Sequence, residues 1–283
     1  MSKIAFVTDT DSSLPADLAH EYGISLIPIP VSFGEDTYIT GETIDDTRLF
    51  EIIDASGKLP TTAAPSPNAY EKAYQAALDD GSDHIICICC SSKVSAIFNN
   101  AQIAAEAFPE ADITVIDSLQ VSLALGFMVL YAVEAAQKGA NKEAVLELIE
   151  NLRPRVHVYG ALPTLKYLAM GGRMGKLAAG VANTLEIKPI LTSRDGKLDL
   201  LEKVRTWKKA RNRLVELAEA CTEGKSVERV GMIHVNNEAG VKTLHKQLGE
   251  RISLPEDYLL AEFTAGLSVH TGSGVVGFVF VTK

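Results

Sequence analysis

His84–Cys90 is a near-continuous apolar run that is too short for a core helix and shows no alternation. That is the pattern of a parallel strand covered on both faces. It sits in a first half that alternates strand-like and helix-like segments. Strands are expected at Ile4–Thr8, Ile24–Val31 and Ile113–Ile116, with a short edge segment at Tyr38–Ile39. Helices are expected near Thr47–Ala55, from Ser66-Pro67 to Leu78, over Ile97–Ala107, from after Ser118 to Gln137, and over Lys142–Asn151. Ser13 is read as the cap of a further helix with Pro15 near its first turn. Such alternation implies a parallel sheet with helices on both sides, a three-layer α/β/α unit. Ligands in these sheets lie beyond the carboxyl ends of the strands. Asp9, Ser91, Asp117 and Ser118 all fall there.

The second half reads differently. Strand-like Val156–Tyr159 precedes a helix over Pro163–Ala169 and a break at Gly171-Gly172-Arg173. Ile187–Leu191 and Leu198–Arg205 flank Asp195-Gly196, a hairpin turn signal. Helices over Trp207–Ala220 and Ala239–Leu248 then mix with strands at Arg229–His234, Leu259–Phe263 and Val275–Val281. This predicts a two-layer α+β unit with a mixed sheet. We place a boundary near Arg155, giving units 1–155 and 156–283.

With 283 residues and 47% hydrophobic composition, the chain can build a sizeable core. Its formal net charge of -9 argues against sequence-independent nucleic-acid binding and against standing attraction to anionic lipid. The apolar stretch near Val121–Val133 falls short of the ~20 residues that a membrane span needs. Met1-Ser2-Lys3-Ile4 runs into a strand with no charged and cleavable leader pattern, so a cytoplasmic location is expected. Three of the four cysteines, Cys87, Cys89 and Cys90, share one strand in a spacing unlike a zinc knuckle. Buried thiols and no metal are expected.

Several motifs invite chemistry. Asp9-Thr10-Asp11-Ser12-Ser13 follows a strand, as the nucleophile loop of aspartate-dependent phosphatases does, yet no later acidic pair is well placed. A capping and turn loop is the preferred reading. Gly272-Ser273-Gly274-Val275-Val276-Gly277 fits G-x-G-x-x-G, but a strand-like run follows it where the dinucleotide fingerprint needs a helix. Ser95, His270 and Asp117 can be drawn as a hydrolase triad, without the nucleophile elbow G-x-S-x-G. Ser91, Ser92 and Ser95 open a helix and suit either capping or anion binding. His270 stands among small residues, and Arg173 behind two glycines is either a surface residue or an anion clamp.

In order and spacing, these segments resemble the DegV family of bacterial fatty-acid-binding proteins along essentially the whole chain. Val7-Thr8-Asp9-Thr10-Asp11-Ser12 resembles the family's V-T-D-S-T, and Thr62-Ala63-Ala64-Pro65-Ser66-Pro67 its T-S-Q-P-S-P. Ser91-Ser92-Lys93-Val94-Ser95 is similar to S-S-x-L-S, Val115-Ile116-Asp117-Ser118 to V-I-D-S, and His270-Thr271-Gly272-Ser273-Gly274 to H-x-G-x-G. Leu165-Lys166-Tyr167-Leu168, Ile187-Lys188-Pro189-Ile190-Leu191 and Lys203-Val204-Arg205 also correspond. Ala63, Ala64, Ala96, Ile97 and Ser273 depart from the family pattern and alter the head-group surroundings.

The resemblance implies a carrier, not an enzyme. One long-chain fatty acid such as palmitate, stearate or oleate lies between two units, with no cofactor beyond that ligand. Thr62 and Ser95 bind the carboxylate, with His270 and Arg173 nearby. Ser92 and Ser118 are taken as further ligand contacts, and Arg173, Lys203 and Arg205 as contacts for a separate fatty-acid kinase subunit. That partner phosphorylates the bound carboxyl and feeds phospholipid synthesis. Neither nucleic acid nor stable membrane insertion is expected. Leu125, Phe127, Met128, Leu177 and Val181 are the expected cavity wall. The alternative reading is a Ser/His hydrolase using Ser95 and His270, or an Asp-dependent phosphatase using Asp9.

Overall fold

The computed structural model describes residues 2–172 and 187–283. Arg173, Leu177 and Val181 lie outside them.

β1 (Ile4–Asp9) is followed by a 3-10 turn and α1 (Ala16–Glu21), then β2 (Ile24–Ile27), β3 (Pro30–Phe33) and β4 (Asp36–Ile39). Next come α2 (Asp46–Ser56), the two-residue β5 (Thr61–Thr62), α3 (Pro67–Asp79), β6 (His84–Cys89), α4 (Ile97–Ala105) and β7 (Ile113–Asp117). The order β2-β1-β6-β7 forms an all-parallel four-stranded sheet. As its unbroken apolar run requires, β6 is central, with Ile85 to Cys89 buried.

The segment read as one strand, Ile24–Val31, is two. β2 stays in the parallel sheet, whereas β3 joins a separate antiparallel sheet of order β4-β3-β5. Pro28 and Pro30 stand where the chain leaves one sheet for the other, and proline cannot donate to a ladder. Ser13 is not a helix cap. It closes the 3-10 turn in a left-handed conformation, φ 52°, and α1 starts after Pro15 with no side-chain cap.

After α5 (Leu123–Gln137) and α6 (Lys142–Leu152), the chain enters β8 (Val156–Ala161), α7 (Lys166–Met170), β9 (Lys188–Arg194) and β10 (Lys197–Val204). It continues with α8 (Trp207–Cys221), β11 (Val227–His234), α9 (Glu238–Gly249), β12 (Leu259–Glu262), α10 (Ala265–Thr271) and β13 (Val276–Thr282). The six-stranded sheet has the order β10-β9-β8-β13-β11-β12 and is mixed, since only β11 and β12 pair in parallel. The expected combination of a parallel sheet and a mixed sheet is therefore present. Seven-residue α10 escaped the sequence reading.

α5 lies between the two sheets. Leu123 to Leu130 are all buried, and one core cluster joins them to Val7 and Ile86 of the first sheet and to Val279 and Val281 of the second. A helix with sheet on two sides has to be apolar all round. Gly231 of β11 gives α5 its close approach, because a Cβ there would come within 2.4 Å of Leu123. Arg229 binds both carboxylate oxygens of Glu134 at 2.7 and 2.9 Å and lies over the Tyr131 ring, fastening α5 to β11 at its rim. Among the described residues no helix is long and apolar enough to cross a membrane.

Candidate functional site

A cavity opens between the parallel sheet's carboxyl ends and one face of the mixed sheet. The space within its lining and mouth together is about 980 Å³. Ile97, Val158, Leu162, Leu191, Ile233 and Val275 supply apolar wall, and Thr62, Ser95 and His270 are all in the lining.

Thr62 is placed by β5, whose pairing with β3 sets Thr62 opposite Val31. His270 is placed by the last turn of α10. Thr62 Oγ1 and His270 Nε2 lie 3.0 Å apart. Which atom carries the shared proton follows from the tautomer. With the proton on Nε2, the imidazole donates to Thr62 and leaves the threonine hydroxyl hydrogen to face the cavity. Ser95 comes from the turn after β6; its N–H donates to Ser91 O, and its Oγ accepts from Ile97 N at 3.4 Å. All three side chains are half-buried, and exposed Thr61, Ala63 and Ala96 adjoin them in sequence. This is the solvent side of the cavity. Val158, Ile233 and Val275 are buried.

Two glycines explain why the motifs around His270 read as they do. Gly171 has ordinary backbone angles, but a Cβ on it would lie 2.4 Å from His270 Nδ1. Gly272 ends α10 at φ +83°, and a Cβ there would strike the Tyr167 ring at 2.5 Å. α7 and α10 thus meet through missing side chains, and the imidazole occupies the space they leave.

The other predicted residues divide. Ser92 is exposed and Ser118 fully buried, and neither lines the cavity. Ser118 closes its own turn, accepting from Gln120 N at 3.0 Å and donating to Gln120 O at 3.3 Å. Ser92 contributes its N–H to Asp117 Oδ1 at 3.2 Å. Both belong to the turns that end β6 and β7: Ser118 is selected by its strand-end position and Ser92 as one of the serines that open a helix. Leu125, Phe127 and Met128 are buried in the helix core and do not line the cavity. The chain just before α5, Val121 and Ser122, does. Lys203 and Arg205 are exposed, at the end of β10 and just beyond it.

Asp9 is fully buried, and its two oxygens accept from Asp11 N at 3.1 Å and Cys90 N at 2.8 Å. Burial pushes its carboxyl well above the usual range, against those two amide bonds. A carboxylate so enclosed and engaged ties β1 to β6 and is not placed to attack a phosphate. Asp9, Asp11 and Cys90 bring ligand-type atoms within 4.8 Å of one another. Burial holds the Cys90 thiol protonated, and both Asp9 oxygens are in use, so this group is a poor metal site. The thiols of Cys87, Cys89 and Cys90 are buried and free.

The hairpin expected around Asp195-Gly196 is present, but its share in the cavity is not foreseen from the sequence. Leu191, Thr192, Ser193 and Leu198 of β9 and β10 line the cavity. The hairpin's turn reaches the other sheet, where Ser91 Oγ donates to Gly196 O at 2.7 Å and accepts from Lys93 N at 3.2 Å. Ser193 Oγ adds a bond to Leu119 O at 3.4 Å.

A family model described as "Uncharacterised protein, DegV family" matches residues 3–283. The chain belongs to the DegV family. A DegV domain-containing protein of Caldanaerobacter subterraneus is 30% identical over the full length of both chains. Protein DegV of Bacillus subtilis is 30% identical over 99% of each. Among solved structures, a DegV family protein of Thermus thermophilus described by its fatty acid binding superposes with a TM-score of 0.93 at 33% identity, covering 99% of this chain and 100% of that one. Bacillus subtilis DegV, described as a fatty acid binding protein, gives a TM-score of 0.88 at 28% identity over the whole of both chains. A stearic acid-binding protein of Eubacterium ventriosum gives 0.88 at 25% identity, covering 100% of this chain and 99% of that one.

Proposed function

We propose that this chain binds one long-chain fatty acid of the palmitate, stearate or oleate class. The acyl tail lies in the cavity between unit 1–155 and unit 156–283, and the carboxylate rests at Thr62, Ser95 and His270. The observation that carries this reading is an apolar-walled cavity with a hydrogen-bonded Thr62–His270 pair on its solvent side. It is supported by the DegV relatives described as fatty acid binding.

The energetics suit a carrier. Burying a sixteen-carbon chain is worth on the order of 10 kcal/mol gross at ~0.8 kcal/mol per methylene, much of which is offset by association and ordering. A carboxylate left unpaired among apolar side chains costs several kcal/mol. Threonine and serine hydroxyls, the threonine's held by the imidazole, answer that cost at the mouth while the tail goes inward. A head group held on the solvent side stays within reach of a second protein. We propose that a separate fatty-acid kinase phosphorylates it there and feeds phospholipid synthesis, with exposed Lys203 and Arg205, and Arg173 outside the described residues, as its contacts.

Native mass spectrometry of the purified chain tests the central reading. One co-purifying fatty acid per chain is the expected result. A bare chain that also fails to take up added oleate would overturn it.

A further inference from the structure

One row of the mixed sheet reads Leu191, Gly160, Gly277, Ile233 across β9, β8, β13 and β11, each residue paired with the next. Residues paired across a sheet share a face. Leu191 and Ile233, at the two ends of the row, both line the cavity, and so does Gly160. The row is therefore a notch two strands wide, with bare backbone between two large side chains.

The two glycines are there for different reasons. A Cβ on Gly277 would stand 2.4 Å from Tyr159 O and 3.0 Å from Gly160 Cα, so the close strand contact itself excludes a side chain. A Cβ on Gly160 would meet only Val276 O, at 3.9 Å, an ordinary contact. Neither is a turn residue, and neither has a positive φ. Gly160 is half-buried although it sits in an interior strand, because its open side is the cavity. Glycine weakens a strand interior, so a fold that has room for alanine loses by keeping it.

Position along β8 gives the notch its meaning. Alternation puts Val158, Gly160 and Leu162 on one side, about 13 Å from first to last. Leu162 clusters with Leu165, Leu168 and Val269, the neighbours of His270. Val158 clusters instead with Ile233, Val279 and the residues of α5, away from the Leu162 group. A tail entering beside His270 crosses Gly160 before it reaches Val158.

We infer that Gly160 is the residue that sets how long an acyl chain this protein accepts: its missing side chain is the passage from the head-group end of the cavity to the inner end. This rests on the fatty-acid reading above and adds to it the position that selects for long chains. A leucine at 160 fills the notch, closes the inner end and leaves the Thr62–His270 end intact.

The test measures binding of stearate and of decanoate to the lipid-stripped full chain, for wild type, Gly160→Ala and Gly160→Leu, with thermal midpoints for each. Stearate affinity is expected to fall at least about tenfold in Gly160→Leu and by a smaller factor in Gly160→Ala, with decanoate affinity within about threefold of wild type and midpoints held or raised. Unchanged stearate binding in Gly160→Leu overturns the inference, as does equal loss of both ligands at a wild-type midpoint. If Gly160→Leu does not fold, Gly160→Ala decides: a lowered midpoint shows that the fold itself requires the glycine and overturns the inference, whereas a held midpoint with a selective loss of stearate sustains it. Wild type binding neither acid would instead refute the carrier reading, and this inference with it.

Discussion

The two faces of the mixed sheet are built from the same strands and end up as opposites. On one face, Phe278 and Phe280 of β13 and Met232 of β11 pack against Leu214 of α8 and Leu244 of α9, all fully buried. On the other, the alternate residues of β13 are Gly277, Val279 and Val281, and β8 offers Val158 and Gly160. Large side chains fill the space beneath the first face, while small ones over α5 leave it partly open beneath the second. Strand alternation thus does more than separate core from solvent. Within one buried sheet it separates a solid layer from a hollow one.

The sharpest way to break this contrast is to hollow the solid face. Phe278→Ala is expected to cost about 3–5 kcal/mol of stability, as buried aromatic truncations do, with stearate affinity per folded molecule unchanged. Chemical denaturation followed by binding at a temperature where both proteins are folded checks both halves. An altered stearate affinity would show that the faces are not independent.

A smaller effect comes from the side that carries the site. Ser268 of α10 donates to Asp46 Oδ2 at 2.7 Å, and burial pushes the Asp46 carboxyl up to about 7, with nearby Glu262 and Asp45 adding to the rise. The folded chain therefore holds the Asp46 proton more tightly than the unfolded chain does. The stabilisation from this group is complete below about pH 4 and is lost as pH rises through 7. The resulting loss is on the order of 4 kcal/mol between those limits, and Asp46→Asn should remove it. Urea titrations of both proteins at pH 4.5 and 8 measure this, and equal slopes would contradict it.

The smallest change is at the mouth. Thr62→Val keeps the shape, removes the hydroxyl and leaves His270 Nε2 without its 3.0 Å partner. Stearate affinity is expected to drop by about 1–2 kcal/mol with the thermal midpoint nearly held. Isothermal titration of the two proteins reads it directly, and an undiminished affinity would move the head group elsewhere.

How much of this was legible in the sequence depended on how local the cause was. The apolar run of β6 and the Asp195-Gly196 turn each name their structure with nearby residues, and both were read correctly. The split between β2 and β3 was signalled by Pro28 and Pro30 but masked by the apolar residues around them. α10 is short and rich in small residues, with no side-chain cap, so it carries no helical period to detect. Of the site, Thr62 and His270 were found through family motifs; their 3.0 Å approach joins residues 208 positions apart, which no spacing rule reaches. Leu125, Phe127 and Met128 were misassigned to the cavity wall because α5 is apolar on every side and gives no sign of which side is free. Gly160 passed unnoticed because an isolated glycine in a strand looks like a weakness until its empty side is seen to face a cavity.

The Ser91 hydroxyl has a consequence for the hairpin it touches. It gives its proton to Gly196 O and takes one from Lys93 N, and a Cβ on Gly196 would sit 2.5 Å from it. Lifting the hairpin tip strands a buried donor at a cost of about 1–3 kcal/mol. The roof is thereby latched at its far tip, like a clasp whose tongue only the smallest residue can form.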